Sequence, residues 1–246
     1  YEAIGLKDGD SYLQINSNIL QIENEFYSDI RPKRVTLPGE KPVCALIRRG
    51  VEYVEIRCMD LDPFEPAGIA TETMHFLELF LVWCLLSEND EVGDTEAKEL
   101  KENLRRVVHE GFDPNLTLLD KDKEVPIKGR MTYQLGCLRD LAAIMDQVKG
   151  TACYSDSVTM AQERIDHPEL IPSNRIRAQL EAGHDHTDLM LALAKQHKAS
   201  LLAEPLGEEL ASQLEKLSER SVDQQETIES MTQLSFAQFI DAYQHQ

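Results

Sequence analysis

The spacing of the apolar residues changes near residue 66, and that change limits the folds open to this chain. Before it, short runs alternate with turn signals. Residues 12–16 set Leu13 and Ile15 against Gln14 and Asn16, the period-two pattern of a half-buried strand. Leu37-Pro38-Gly39-Glu40 is a turn, and Gly50 opens the clearest strand pattern, 51–58. After it, the period is helical. Residues 71–86 are apolar nearly all round, as a central helix is. Asp94 can cap a helix carrying Ala97, Leu100, Leu104, Val107 and Val108, which ends at Gly111. Leu135, Leu138, Leu141, Ala142, Met145 and Val148 form a second stripe, ending at Gly150. Ser173 is expected to cap a helix over 174–182, and further stripes follow from Leu189 and Leu210. The pattern predicts an α+β chain with its strands early and its helices late.

Charge narrows the function. The 246 residues carry 44 acidic and 25 basic side chains, a net of −19. A nucleic-acid partner needs a Lys/Arg excess to neutralise phosphates, and an anionic membrane surface repels such a chain. The longest apolar run, residues 76–86, contains Glu78 and falls well short of the ~20 residues that span a bilayer. Within 31–57 the sign reverses. Arg31, Lys33, Arg34, Lys41, Arg48, Arg49 and Arg57 outweigh Glu40, Glu52 and Glu55. Such an island draws a small anion, a phosphate or a carboxylate.

Side chains alternate along a strand, so Tyr53, Glu55 and Arg57 share one face of 51–58, and Val54, Ile56 and Cys58 share the other. The apolar face is expected to pack on the long helix 71–86. The polar face presents a carboxylate and a guanidinium about 6–7 Å apart. The pair suits a hard cation on one side and a phosphate oxygen on the other. An ion-pair ladder on a solvated face is the competing reading. Tyr27 is a candidate substrate contact or an ordinary half-buried tyrosine. His184-Asp185-His186 has the look of a metal fragment without a third ligand nearby in sequence. Cys44, Cys58, Cys84, Cys137 and Cys153 lack C-x-x-C spacing and read as reduced core cysteines.

Several of these segments are familiar. Residues 13–27, Ile30-Arg-Pro-Lys-Arg-Val35, Gly50-Val-Glu-Tyr-Val-Glu-Ile-Arg57, Asp60-Leu-Asp-Pro-Phe64 and the pattern F-L-x-L-F-x-V-W-C at 76–84 resemble the proteobacterial type of glutamate–cysteine ligase. The likeness fades through the acidic middle and returns at Glu110-Gly111 and Leu116-Thr-Leu118. It covers the C-terminal half or so of that family's chain, which fits a first residue, Tyr1, that is not Met; a piece of a longer polypeptide is expected.

The resemblance implies a curved antiparallel sheet forming a funnel-like active site, akin to glutamine synthetase. Residues 1–65 would supply its later strands and 66–246 the helical portion that backs it, with the N-terminal half of the catalytic unit absent. It implies ATP-dependent ligation of the L-glutamate γ-carboxylate to the L-cysteine amine through a γ-glutamyl phosphate, in the cytoplasm. ATP and Mg²⁺ are the cofactors, with Mn²⁺ as a substitute. Arg57 and Glu55 match the family's catalytic arginine and metal-binding carboxylate, and Tyr27 matches its cysteine-pocket tyrosine. Arg31, Lys33 and Arg34 are lesser candidates for substrate binding, through contacts to its anionic groups. The chain alone is expected to be inactive. The competing functions are a related carboxylate–amine ligase with another amine acceptor, and a non-catalytic acidic helical scaffold.

Overall fold

The computed structural model describes residues 1–88, 91–231 and 234–245. In chain order the elements are β1 (Lys7–Asp8), β2 (Ser11–Tyr12), β3 (Ile30–Lys33), α1 (Pro42–Arg49), β4 (Tyr53–Ile56), α2 (Thr71–Leu86) and α3 (Asp94–Glu110). Then come β5 (Thr117–Asp120), β6 (Lys123–Pro126), α4 (Ile127–Lys149), α5 (Cys153–Asp166), α6 (Pro172–Glu181), α7 (His186–Ala203), α8 (Glu208–Ser230) and α9 (Phe236–Gln244). Helices dominate. The strands among the described residues form three antiparallel pairs, β1–β2, β3–β4 and β5–β6. No helix among the described residues is long and apolar enough to cross a membrane.

The chain divides into two compact units, Tyr1–Asp60 with Leu206–Gln246, and Leu61–Pro205. The last two helices thus group with the early strands, not with the helices between, and residue 65 falls inside the second unit.

In the first unit, β3 and β4 pair with Arg31 opposite Glu55, Pro32 opposite Val54 and Lys33 opposite Tyr53. Pro32 lacks an N–H, which an edge strand tolerates. Helix α1 is not foreseen by the apolar pattern, although its ends carry the usual signals. Pro42 stands in the first turn, Arg48 and Arg49 in the last, and Gly50 follows at φ +74°, a conformation that costs glycine little. Arg49 grips both oxygens of Glu40 at 3.1 and 2.7 Å and thereby ties the end of α1 to the turn before it.

The core of the second unit is Leu79 of α2 against Leu135, Leu138 and Ala142 of α4 and Tyr154 and Val158 of α5. Phe76, Phe80 and Trp83 extend it, their rings stacked in sequence along one side of α2. Buried Tyr154 donates its hydroxyl to Glu78 at 2.8 Å, so its polar end is satisfied. The β5–β6 hairpin, also unforeseen, turns through Lys121 and Asp122, both at positive φ as a tight two-residue turn requires.

Several expectations are corrected. Strand β2 stops at Tyr12; residues 13–16 instead join a loop in which Gln21 Oε1 accepts from the Ile15 and Asn16 amides. Ser173 lies inside α6, whose first turn begins at Pro172. Gly93 precedes α3 and Asp94 is its first residue. Val54 and Cys58 are exposed and Ile56 is half-buried, so the apolar face of β4 is largely uncovered, while the core partners of α2 are α4 and α5. On α2 itself Leu79 is buried but Leu85 and Leu86 are exposed, so it is not enclosed all round. The five cysteines are thiols, none fully buried, and Cys58 is exposed.

Candidate active site

The β3–β4 register assembles the site. Cross-strand neighbours on one face stand close enough for their side chains to meet. Glu55 is therefore within reach of Lys33 on the neighbouring strand and of Arg57 two residues on. Arg57 Nε donates to Glu55 Oε1 at 2.7 Å, and Lys33 Nζ lies 3.0 Å from Oε2. Both carboxylate oxygens are engaged, each by a different cation. The Arg57 amide donates to the Asp29 carbonyl at 2.7 Å, which extends the pairing past the end of β4.

The guanidinium of Arg57 lies over the ring of Tyr27, 4.7 Å from its centroid. Tyr27 is 78% exposed, so the half-buried reading does not fit it. Its ring is a platform for Arg57 with the other face open. Sequence spacing could not foresee this contact, because a loop carries Tyr27 to the end of β4.

The charges are strongly coupled. The hydrogen bond from Arg57, followed by that from Lys33, holds the Glu55 carboxyl at about 2. The same bond raises the Arg57 pKa. Glu55 is thus ionised and Arg57 charged at any ordinary pH.

Beside this cluster lies a cavity of about 1020 Å³ whose lining includes Arg31, Lys33, Arg34, Lys41, Tyr53 and Tyr243. Lys33 is common to the cavity and the cluster; Tyr27, Glu55 and Arg57 are not part of the lining. Arg34 is paired with Glu52 at 3.6 Å. Of the site residues expected from sequence, the structure brings together Tyr27, Lys33, Glu55 and Arg57, with Arg31 opposite Glu55 across the ladder. Arg34 faces the cavity with a different carboxylate. Tyr243 of α9 is unforeseen, since nothing in the sequence connects α9 to the basic stretch.

Glu55 offers a hard oxygen donor of the kind Mg²⁺ takes. It fits as one ligand of a divalent-cation site and not as a whole site. Mg²⁺ demands near-octahedral oxygen coordination, and among the described residues no three His, Cys, Asp or Glu side chains gather to hold an ion. Asp185, between His184 and His186, serves the fold instead. Its carboxylate accepts from the Thr187 and Asp188 amides and caps α7.

Comparison with known proteins bears on this geometry. A family model described as glutamate-cysteine ligase matches residues 1–107. A glutamate–cysteine ligase of Hahella chejuensis is 38% identical over 251 residues, covering 99% of this chain and 47% of the relative. One of Azotobacter vinelandii is 40% identical over 245 residues, covering 99% of this chain and 46% of the relative. Among solved structures, a Francisella tularensis glutamate–cysteine ligase in complex with AMP matches at 32% identity and a TM-score of 0.84, over 99% of this chain and 48% of that one. A bifunctional glutathione synthetase from Pasteurella multocida shares the fold over 72% of this chain and 22% of that one, with a TM-score of 0.53 at 24% identity. The chain spans about half the length of the curated relatives it matches.

Proposed function

This chain is related over essentially its whole length to the glutamate–cysteine ligases, and from that premise we propose that it is a portion of an enzyme joining the L-glutamate γ-carboxylate to the L-cysteine amine at the expense of ATP. The observation that carries the reading is the Lys33–Glu55–Arg57 cluster beside a basic cavity. An AMP complex of the Francisella relative agrees with an adenine nucleotide as the phosphoryl source.

The chemistry explains why such a cluster is needed. A carboxylate resists acylation of an amine because oxide is a poor leaving group. Transfer of the ATP γ-phosphoryl group to the γ-carboxylate gives γ-glutamyl phosphate and ADP. The cysteine amine then attacks the acyl carbon, phosphate departs with the electron pair of the C–O bond, and the nitrogen loses a proton. Negative charge gathers on the transferring phosphoryl oxygens, where preorganised cations stabilise it most.

Arg57 is assigned to those oxygens or to the glutamate carboxylate; its planar fork suits either. Glu55 aims Arg57 and is also assigned as one carboxylate of a Mg²⁺ site whose other ligands lie outside this chain. Bound there, Mg²⁺ or Mn²⁺ would neutralise the phosphate oxygens. Arg31, Lys33 and Arg34 draw the anionic substrates into the cavity. The open face of Tyr27 is assigned to the cysteine site. The β3–β4 pair is read as part of a larger curved, funnel-like sheet contributed by 1–65, with 66–246 backing it. A reaction that consumes ATP and a free thiol belongs in the reducing cytoplasm.

The test is release of ADP by the natural protein that contains this chain. Release that needs both glutamate and cysteine, with γ-glutamylcysteine as product, supports the reading. Release driven as well by another amine, or by none, overturns it. The 246 residues alone are expected to form no product.

A further inference from the structure

The basic cavity has a wall that the strands do not supply. It comes from α9, at the far end of the chain. Ser235 and Gln238 form a reciprocal cap that starts this helix, and Ile240 is 1% exposed. Phe236 meets Tyr12 edge-on at 5.5 Å, and Gln244 donates its side-chain amide to the Ile15 carbonyl at 3.2 Å. Phe239 lies against Gly39, in the Leu37–Glu40 turn that immediately precedes Lys41. That turn holds Gly39 at φ +77°, and a Cβ there would stand 3.8 Å from the Phe239 ring. Tyr243 stacks on Phe239 with ring centroids 6.0 Å apart, and the ammonium of Lys41 lies 5.0 Å from the Tyr243 ring centroid. Lys41 and Tyr243 both line the cavity.

We propose that Lys41, positioned by the ring of Tyr243, contacts an oxyanion of a substrate bound in this cavity. The inference rests on the ligase reading and adds α9 to the substrate-binding parts. Three features support it. The cavity lining brings Arg31 and Lys41 together with Lys33 and Arg34, which are paired with Glu55 and Glu52, and with Glu23, which accepts from the Val43 amide at 3.1 Å. Lysine is a compact charge on a flexible stem, so an aromatic face that restrains the ammonium lowers the cost of ordering it on a ligand. And the same helix packs the turn before Lys41 and shapes its ring contact, so one docking event fixes both ends of the residue. Tyr243 is a positioning residue: it acts through Lys41. The oxyanion is a nucleotide phosphate or an amino-acid carboxylate, which share this chemistry.

The experiment uses the natural full-length protein and measures KM separately for ATP and for glutamate. Lys41→Met is expected to raise one of these by about tenfold, as loss of a charge-assisted hydrogen bond does, with the effect on KM rather than kcat. The substrate affected identifies the oxyanion. Tyr243→Leu is expected to raise the same KM by about two- to fivefold, the weight of a modest cation–π contact. Tyr243→Phe, which keeps the ring face, restores it, and Tyr243→Leu adds nothing once Lys41 is Met. Unchanged KM values for both substrates in Lys41→Met overturn the proposal. So do additive effects of the two substitutions, which mark Tyr243 as a packing residue only. Thermal unfolding of each variant is run in parallel; if Tyr243→Leu does not fold, Lys41→Met and Lys41→Arg decide the question, the arginine being expected to retain part of the binding. A native protein without ligase activity defeats the underlying reading, whereas an active one indifferent to Lys41 defeats this proposal alone.

Discussion

Removing the carboxylate of Asp146 should destabilise the helical unit more than any surface change of similar size. Asp146 lies near the end of α4 and is 8% exposed. The residue before α5, Ala152, has no side chain that can cap. Asp146 does the capping from the preceding helix instead. Its Oδ1 accepts from the Tyr154 amide and its Oδ2 from the Ser155 amide, each at 2.9 Å, and the Thr151 hydroxyl adds a bond at 3.3 Å. Tyr154 and Ser155 are the second and third residues of α5, the positions an N-cap side chain serves. In Asp146→Ala two amides at a helix start lose their acceptor inside the protein, which costs about 2–3 kcal/mol. With a urea m-value of about 2 kcal/mol/M, the midpoint should fall by roughly 1–1.5 M. Asp146→Asn keeps one acceptor and should cost about 1 kcal/mol.

The pH dependence gives a second reading of the same bonds. Burial pushes the Asp146 carboxyl up, but the Ser155 hydroxyl, the Tyr154 and Ser155 amides and the Thr151 hydroxyl together outweigh it and leave it below the ordinary aspartate range. A carboxyl whose pKa is lower folded than unfolded stabilises the fold fully above its unfolded pKa of about 3.9. That stability is lost as pH falls through the folded value. The stability gap between native protein and Asp146→Asn should therefore be constant near neutrality and narrow below about pH 4. A cost under about 0.5 kcal/mol for the alanine variant, or a gap that ignores pH down to 2, would refute the capping account.

Two further outcomes can be checked. Leu138 is fully buried in the cluster that holds Leu79 and Tyr154, so Leu138→Ala should lower stability by about 2–5 kcal/mol in the same urea titration; a loss below about 1 kcal/mol would show that this cluster is not the core. Tyr27→Phe keeps the ring over Arg57 and Tyr27→Leu does not, so kcat/KM should hold in the first and drop about two- to fivefold in the second; equal losses in the two would move the role from the ring face to the hydroxyl.

The sequence carried some of this better than the rest. That Glu55 and Arg57 share a face was legible from alternation over 51–58, but their ion pair at 2.7 Å was not, since the spacing set the two groups apart on separate ligands and Arg57 lies just past the end of β4. Helices α3 and α4 announced themselves through long stripes and terminal glycines, and α2 through its long apolar run. Other features depend on contacts remote in sequence. Lys33 meets Glu55 only because of the β3–β4 register, and Tyr27 meets Arg57 only because of a loop. Helix α1 hid inside a stretch read as strands, because eight residues are too few for a periodic stripe to stand out. The β5–β6 hairpin hid because its turn is Lys121-Asp122, not an Asn-Gly or Asp-Gly pair. Asp146 gave no signal, since a cap normally belongs to the helix it precedes.

The central claim is that Glu55 and Arg57 serve the ligation itself. It is tested most directly by the single-turnover rate of γ-glutamylcysteine formation in the natural protein, with substrates saturating. Glu55→Gln and Arg57→Ala are each predicted to lower that rate at least ~100-fold while the fold is retained, the usual consequence of removing a preorganised transition-state charge. Rates within threefold of native in both variants would contradict the claim.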